Sequence, residues 1–183
     1  MDVDSSNWNK FIDGEDLKIW YRKREGCGMF DFYYEKEANA PIENVVCVVR
    51  EAQTFKTWVP MLYESRWLHE ITDSQLLGEV KIRMPWPIKN RACYVSTNAL
   101  INSDSVDVNL RTVHSEVYLQ DKEIPRDKSC EEIDAQCLLL KVQRLEQNKQ
   151  RVRVLMTVDP KCENMPDWLL NNICKVLAAA FMS

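Results

Sequence analysis

Alternation of apolar and polar residues dominates the chain from residue 66 onward. In Leu76–Met84, apolar residues or glycine occupy every second position, and Glu79, Lys81 and Arg83 lie between them. This period is typical of a strand with one buried face, so we interpret the charged positions as solvated sheet surface. Similar patterns predict strands over Arg66–Ile71, Arg91–Ile101, 106–114, Cys137–Leu145 and Arg151–Asp159.

The residues before this region predict a hairpin and a helix. Lys18–Arg24 and Met29–Ala38 are rich in aromatic residues, and the glycines between them indicate a turn. Pro41 begins an amphipathic helix that ends at Trp58–Pro60, because the residue before a proline avoids helical angles. Ser5–Asp13 is predicted as a short capped helix.

The last helix is predicted to begin at Pro166, since proline suits the first turn of a helix. Its apolar positions recur at helical spacing along one face, at Leu169, Ile173, Val176, Leu177 and Ala180. A short helix with one apolar stripe needs a surface to pack against, and the strands before it can supply that surface.

The order of elements predicts a single α+β domain over residues 1–183. A long antiparallel sheet curls because strands twist, and the last helix would then fill its concave face. Where helix side chains do not reach the sheet, we expect an internal apolar cavity. The charged run at 121–134 is predicted to be a mobile loop.

Composition narrows the function class. The net charge is −4 and the 24 basic residues are scattered, which argues against a nucleic-acid interface. No apolar run approaches a membrane span, and the N-terminus lacks the pattern of a secretory signal. The 7 irregularly spaced cysteines favour free thiols, and we expect a cytoplasmic protein. Neither histidine has metal-binding spacing, so we expect no metal and no cofactor.

Three segments resemble the START (StAR-related lipid transfer) family. They are Trp58–Pro60, the loop Met84–Arg91 with its proline-aromatic-proline element before Asn-Arg, and Val158–Lys161 followed by Pro166–Asn171. The resemblance implies a helix-grip fold, in which a curved antiparallel sheet wraps around a C-terminal helix. It also implies a function without bond chemistry: a monomer binds one lipid and contacts membranes transiently. Family members commonly have aspartate where Ala92 stands, and Thr97 stands near an arginine of certain sterol-binding members, so a sterol preference is not indicated.

The inward-facing residues of this fold would line the cavity. Thr112 and His114 could fix one polar end of an otherwise apolar ligand. The candidate cavity residues are Val80, Ile82, Met84, Cys93, Leu110, Thr112, His114, Leu140, Met156, Ile173, Val176 and Leu177.

The loop between the two central strands carries the candidate gate and membrane contact: Trp86, Ile88, Lys89 and Arg91. Trp86 could pack on the last helix, or it could touch a bilayer as interfacial tryptophans do. Arg91 could pair with a nearby carboxylate, or it could bind a lipid phosphate.

Lipid transfer between membranes is therefore the expected function, and two alternatives stay open. The first is a lipid-sensing module that does not transfer its ligand. The second is an enzyme on the same scaffold, for which a Cys93–His114 dyad would be the candidate. The absence of a catalytic motif and the low number of histidines argue against the enzyme.

Overall fold

A computed structural model of the chain describes residues 5–59, 61–115, 117, 118, 121–159, 161, 166, 168–172 and 175. The strands are β1 (Asn9–Asp13), β2 (Leu17–Lys23), β3 (Phe30–Ala38), β4 (Leu62–Thr72), β5 (Gln75–Ile82), β6 (Arg91–Ile101), β7 (Ser105–Thr112), β8 (Val117–Tyr118), β9 (Lys122–Glu123), β10 (Glu131–Glu132), β11 (Asp134–Glu146) and β12 (Lys149–Asp159). The helices are α1 (Ile42–Arg50) and α2 (Phe55–Trp58), and residues 168–172 and 175 form the last helix.

The predicted α+β helix-grip architecture is confirmed: one curved, mostly antiparallel sheet carries the fold. Its strand order is β1-β2-β3-β12-β11-β7-β6-β5-β4, so the first hairpins pair with the last strand in the middle of the sheet. Strand β10 adds to β6 in parallel, beside Arg91 and Ala92. The strands from β4 to β7 form a meander in which each strand pairs with its sequence neighbour.

Cross-strand register defines the concave face. Val80 pairs with Cys93, which packs with Leu110, and Leu140 pairs with Val108 and Val154. Because paired residues in a ladder share a face, these side chains form one continuous apolar surface. Leu170 of the last helix packs on this surface against Phe30 and Phe32, and α1 covers its other end through Ile42, Val45 and Val46.

The predicted N-terminal helix over Ser5–Asp13 is wrong. Only Ser5–Asn7 form a 3-10 turn, and Asn9–Asp13 pair with β2. The register shifts between Lys10 and Ile12, and the neighbouring Phe11 and Ile12 both contact the apolar cluster around Ile19. This irregularity conceals the alternation that would have identified a strand.

The predicted middle helix is interrupted. The helix α1 ends at Arg50 because Glu51 leaves helical angles, with φ −84° and ψ 61°. A 3-10 turn at Ala52–Thr54 and the short helix α2 follow. The break places Ala52 over the sheet, where its carbonyl accepts a hydrogen bond from the buried Ser65 hydroxyl.

The convex face differs most from the prediction. The charged run 121–134 does not lie wholly in solvent as predicted: Ile124 packs on this face, in a buried cluster with Val113, Leu77 and Tyr94. The Arg126 guanidinium lies 4.4 Å from the centroid of the Tyr94 ring. This covering segment buries positions that alternation alone had placed in solvent.

Glu79 and Lys81 are therefore buried, with 1% and 7% exposure, contrary to the prediction of a solvated face. The Lys81 ammonium lies 3.0 Å from both Glu64 and Asp127 and 3.3 Å from Glu79. The Arg66 guanidinium bonds Glu79 at 2.8 Å. Burial alone would lower the pKa of Lys81, but its hydrogen bonds to the three carboxylates raise that pKa above the ordinary value.

Candidate functional site

A cleft of ≈ 610 Å³ opens at the rim of the concave face. It lies where the start of β4, the loop after β5 and the last helix meet. Most of its lining is apolar, with one arginine, one tyrosine and one asparagine: Met61, Leu62, Tyr63, Arg83, Met84, Pro85, Trp168, Leu169 and Asn172. The volume falls in the range of small-molecule sites, which is about 300–1,000 Å³.

The apolar side chains that were predicted to line the cavity are only half-buried, although they face inward. This group comprises Val80, Ile82, Met84, Leu110, Leu140 and Met156. A fully packed core would leave such residues buried, so accessible space remains above this part of the sheet. Cys93 is buried, and burial raises the pKa of its thiol.

Two predicted polar contacts do not point to a ligand. The Thr112 hydroxyl accepts the Ala135 N–H at 2.8 Å and donates to the Ala135 carbonyl at 3.1 Å, so it stabilises the irregular start of β11. The prediction that His114 lines the cavity is wrong: β7 ends at Thr112, and the His114 side chain is 68% exposed, 3.8 Å from Asp134.

The candidate Cys93–His114 dyad is not assembled either. The Cys93 sulfur lies on the concave face, 3.7 Å from the Thr112 hydroxyl, whereas the His114 ring is exposed. The described residues contain no group of three or more histidine, cysteine, aspartate or glutamate side chains placed to bind a metal ion.

The four candidate membrane-contact residues between β5 and the start of β6 differ in their exposure to solvent. Trp86 is 93% exposed, so it does not pack on the described part of the last helix. Lys89 is exposed and Ile88 is half-buried. Arg91 is 4% exposed, and its guanidinium pairs with Glu131 at 2.7 Å and bonds the Lys89 carbonyl at 2.8 Å.

Of its two alternatives, Arg91 therefore pairs with a carboxylate. Because its side chain is buried, it is not available for contact with a membrane. It ties the start of β6 to β10, and it also reaches the Lys161 carbonyl at 3.4 Å. The remaining predicted cavity residues, Ile173, Val176 and Leu177, lie outside the described residues.

Sequence reasoning missed several residues of the cleft. Met61 adopts a left-handed backbone with φ 67°, which is uncommon for a residue other than glycine, and its carbonyl accepts the Arg83 N–H. The Tyr63 hydroxyl lies 3.3 Å from the Cys130 sulfur. That hydrogen bond, with burial, raises the pKa of Tyr63 to about 12. The sequence signals for the cleft were the candidate cavity residue Met84 and the Trp-Val-Pro segment that precedes Met61.

Trp168 is the second exposed tryptophan of this end. It lies in the last helix, lines the cleft and is 52% exposed. Trp86 follows the cleft residue Pro85 in the chain, so both tryptophans expose large apolar surface at this end of the sheet. Within the described part of the chain, no helix is both long and apolar enough to cross a membrane.

Comparison with solved structures gives consistent matches, although no family model and no curated protein matches the sequence. Human STARD10 is 20% identical with a TM-score of 0.75, and the match covers 96% of this chain and 70% of that chain. Human StAR-related lipid transfer protein 5 is 12% identical with a TM-score of 0.75, covering 97% and 86%.

A STAR-related lipid transfer protein from Xanthomonas axonopodis is 23% identical with a TM-score of 0.71, and the match covers 96% of this chain and 97% of that chain. At these identities the likeness shows the fold. By its fold, the chain is a START-like domain of the helix-grip type.

Proposed function

We propose that the protein binds one hydrophobic lipid between its concave sheet face and its last helix, and transfers it between membranes. The observation that carries this proposal is the half-burial of Val80, Ile82, Leu110 and Met156 on the concave face, beside an apolar cleft. The solved structures with this fold include two that are named lipid transfer proteins. We expect lipid binding without bond chemistry, in a protein that acts as a monomer in the cytoplasm.

The driving force is the removal of an acyl chain from water. Each buried methylene contributes about 0.8 kcal/mol, so a chain of several methylenes strongly prefers an apolar pocket to water. Release would require the cleft to widen, and the last helix and the loop after β5 are the elements that form its rim. Motions of such elements occur on the microsecond to millisecond timescale.

A cavity-filling substitution tests ligand binding, and β11 offers a matched pair. Leu139 and Leu140 are adjacent and both half-buried, but they face opposite sides of the sheet. Leu140→Trp should displace at least two methylenes of ligand, about 1.6 kcal/mol, and reduce bound lipid at least about tenfold. Leu139→Trp should leave lipid binding unchanged. Mass spectrometry of copurified lipid gives the measurement, and equal loss in both variants would contradict the proposal.

Membrane contact is proposed at the cleft opening, through Trp86, Ile88 and Lys89. Exposed tryptophan and lysine suit the boundary between acyl chains and anionic head groups. Trp86→Ala combined with Lys89→Glu should slow lipid exchange between vesicles. Ile101→Ala is the control, because Ile101 is 78% exposed at the opposite end of β6, about 33 Å away at 3.3 Å per residue.

Exchange kinetics also separate transfer from sensing. A transfer protein accelerates the movement of a labelled lipid from donor to acceptor vesicles, whereas a sensor binds lipid without accelerating exchange. Unchanged exchange in the Trp86 and Lys89 double variant, with the fold intact, would remove the membrane contact from the proposal.

A further inference from the structure

Arg83 is the one charged residue among the described residues that line the cleft. Its backbone is fixed at the rim, because its N–H donates to the Met61 carbonyl at 2.6 Å. Its guanidinium carbon lies 5.6 Å from the centroid of the Tyr63 ring, within the range of a cation–π contact. The aromatic wall thus holds the arginine at the cleft and leaves its hydrogen-bond donors available to a ligand.

The other arginines near this end of the sheet are neutralised. Arg66 bonds Glu79 at 2.8 Å, Arg91 bonds Glu131 at 2.7 Å, and Arg126 bonds Glu132 at 3.0 Å. For Arg83, no carboxylate of the described residues lies within ion-pair distance. Among the described residues, each of these other arginines has a carboxylate partner, whereas the cation of the cleft has none and can bind another anion.

The polar groups that the sequence suggested as ligand contacts either bond to other protein groups or lie outside the cavity. The Thr112 hydroxyl bonds Ala135, and His114 lies outside the cavity. Arg91, the sequence candidate for a phosphate, is paired with Glu131. Arg83 and the exposed amide of Asn172 remain as polar groups on the cleft wall.

We infer that the cleft selects a lipid with an anionic head group, which Arg83 binds through its planar, multidentate donor edge. This inference rests on the proposed lipid-binding function and adds the chemical class of the ligand. Guanidinium groups bind phosphate and carboxylate oxygens in bidentate fashion. The apolar residues Met84 and Leu169 beside Arg83 would contact the first methylenes of the chain.

Competitive extraction from one vesicle preparation tests the inference. The vesicles consist of phosphatidylcholine with equal small amounts of dioleoyl phosphatidate and diolein, which share acyl chains and differ in the phosphate. We expect the wild-type protein to extract phosphatidate about tenfold more than diolein, as one charge-assisted hydrogen bond allows. Arg83→Gln should abolish the preference, and Arg83→Lys should retain part of it as a point charge.

Arg111→Gln is the matched control, because Arg111 is exposed on the convex face of β7. Its preference should equal that of the wild type. A preference that survives Arg83→Gln, or that falls equally in Arg111→Gln, would overturn the inference. Equal extraction of both lipids by the wild type would also overturn it while leaving lipid binding intact, whereas extraction of neither would remove both proposals.

Two further measurements identify the source of the anion. Sedimentation with pure phosphatidylcholine vesicles should be unchanged in Arg83→Gln, and a parallel loss would assign Arg83 to membrane contact instead. Titration with inorganic phosphate should give no saturable heat. Saturable binding that Arg83→Gln abolishes would assign the cleft to a free anion.

Discussion

Gly78→Ala is predicted to destabilise the protein because Gly78 lies under an indole ring. A Cβ at Gly78 would lie 2.7 Å from both Cε3 and Cζ3 of Trp67, and 3.3 Å from the Arg66 carbonyl oxygen. To reach an ordinary contact of 3.4 Å, the ring must move by about 0.7 Å (3.4 − 2.7). The ring is not free to move, because its N–H donates to the Arg50 carbonyl at 2.6 Å.

Overpacking of this kind costs about 1–3 kcal/mol, and the lower entropy of the unfolded alanine chain offsets up to about 1 kcal/mol of it. We therefore expect a net loss of about 1–2 kcal/mol in the free energy of unfolding. For a domain of this size the melting temperature should fall by about 2–8 °C. Thermal and urea unfolding followed by circular dichroism measure both quantities.

The control is Gly28→Ala, since a Cβ at Gly28 meets nothing within 4 Å and no positive φ strains the backbone. Its stability should be unchanged or slightly increased. In a Trp67→Phe background, Gly78→Ala should cost at least about 0.5 kcal/mol less than in the wild type. If the two substitutions are additive, or if Gly28→Ala is as harmful as Gly78→Ala, the steric argument is wrong.

Three other substitutions probe the charged and polar groups. Lys81→Met leaves Glu79 buried beside one fewer cation and should lower the unfolding free energy in urea by about 3 kcal/mol, with partial recovery when Glu79→Gln is added. Burial would raise the pKa of Glu35, but hydrogen bonds to its cationic neighbours and a tyrosine lower it to about 2. The ionised Glu35 side chain contributes at most about 3 kcal/mol to the free energy of unfolding; this contribution is complete above pH 4.5 and is lost as the pH falls toward 2. In Glu35→Gln, the free energy of unfolding should therefore depend less on pH between 4.5 and 2. Thr112→Val removes the bonds to Ala135 and should lower stability by about 1–3 kcal/mol without changing which lipid copurifies.

Local patterns predicted the sheet well where each strand has one apolar face and a clear end. Both boundaries of the strand Arg91–Ile101 were predicted correctly. The Pro-Trp-Pro loop before it and the Asn-Ser-Asp turn after it interrupt the alternation of apolar and polar residues. The strand Asn9–Asp13 was missed because its register shift brings adjacent apolar residues to one cluster. Periodicity detects regular strands and loses those that contain a bulge.

The site was harder to predict because the ion-pair partners of its charged side chains come from residues far apart in the chain. From the sequence, Glu79 and Lys81 were predicted to be solvated. In the structure they are buried, and Lys81 pairs with Asp127, which is distant in the chain. Arg83 and Arg91 look alike in the sequence, yet only Arg91 meets Glu131. Which arginine keeps its charge for a ligand depends on that non-local pairing, which no spacing rule contains.

The central position of β12 has a consequence for how the chain folds. Strand β3 pairs with β12 from Phe30–Val158 to Ala38–Gln150, so the sheet closes only when distant parts of the sequence meet. Pairings of this range slow folding because the loop between them must close first. During synthesis, the N-terminal hairpins would leave the ribosome long before their partner strand, and their open β3 edge would be a place where a chaperone can act.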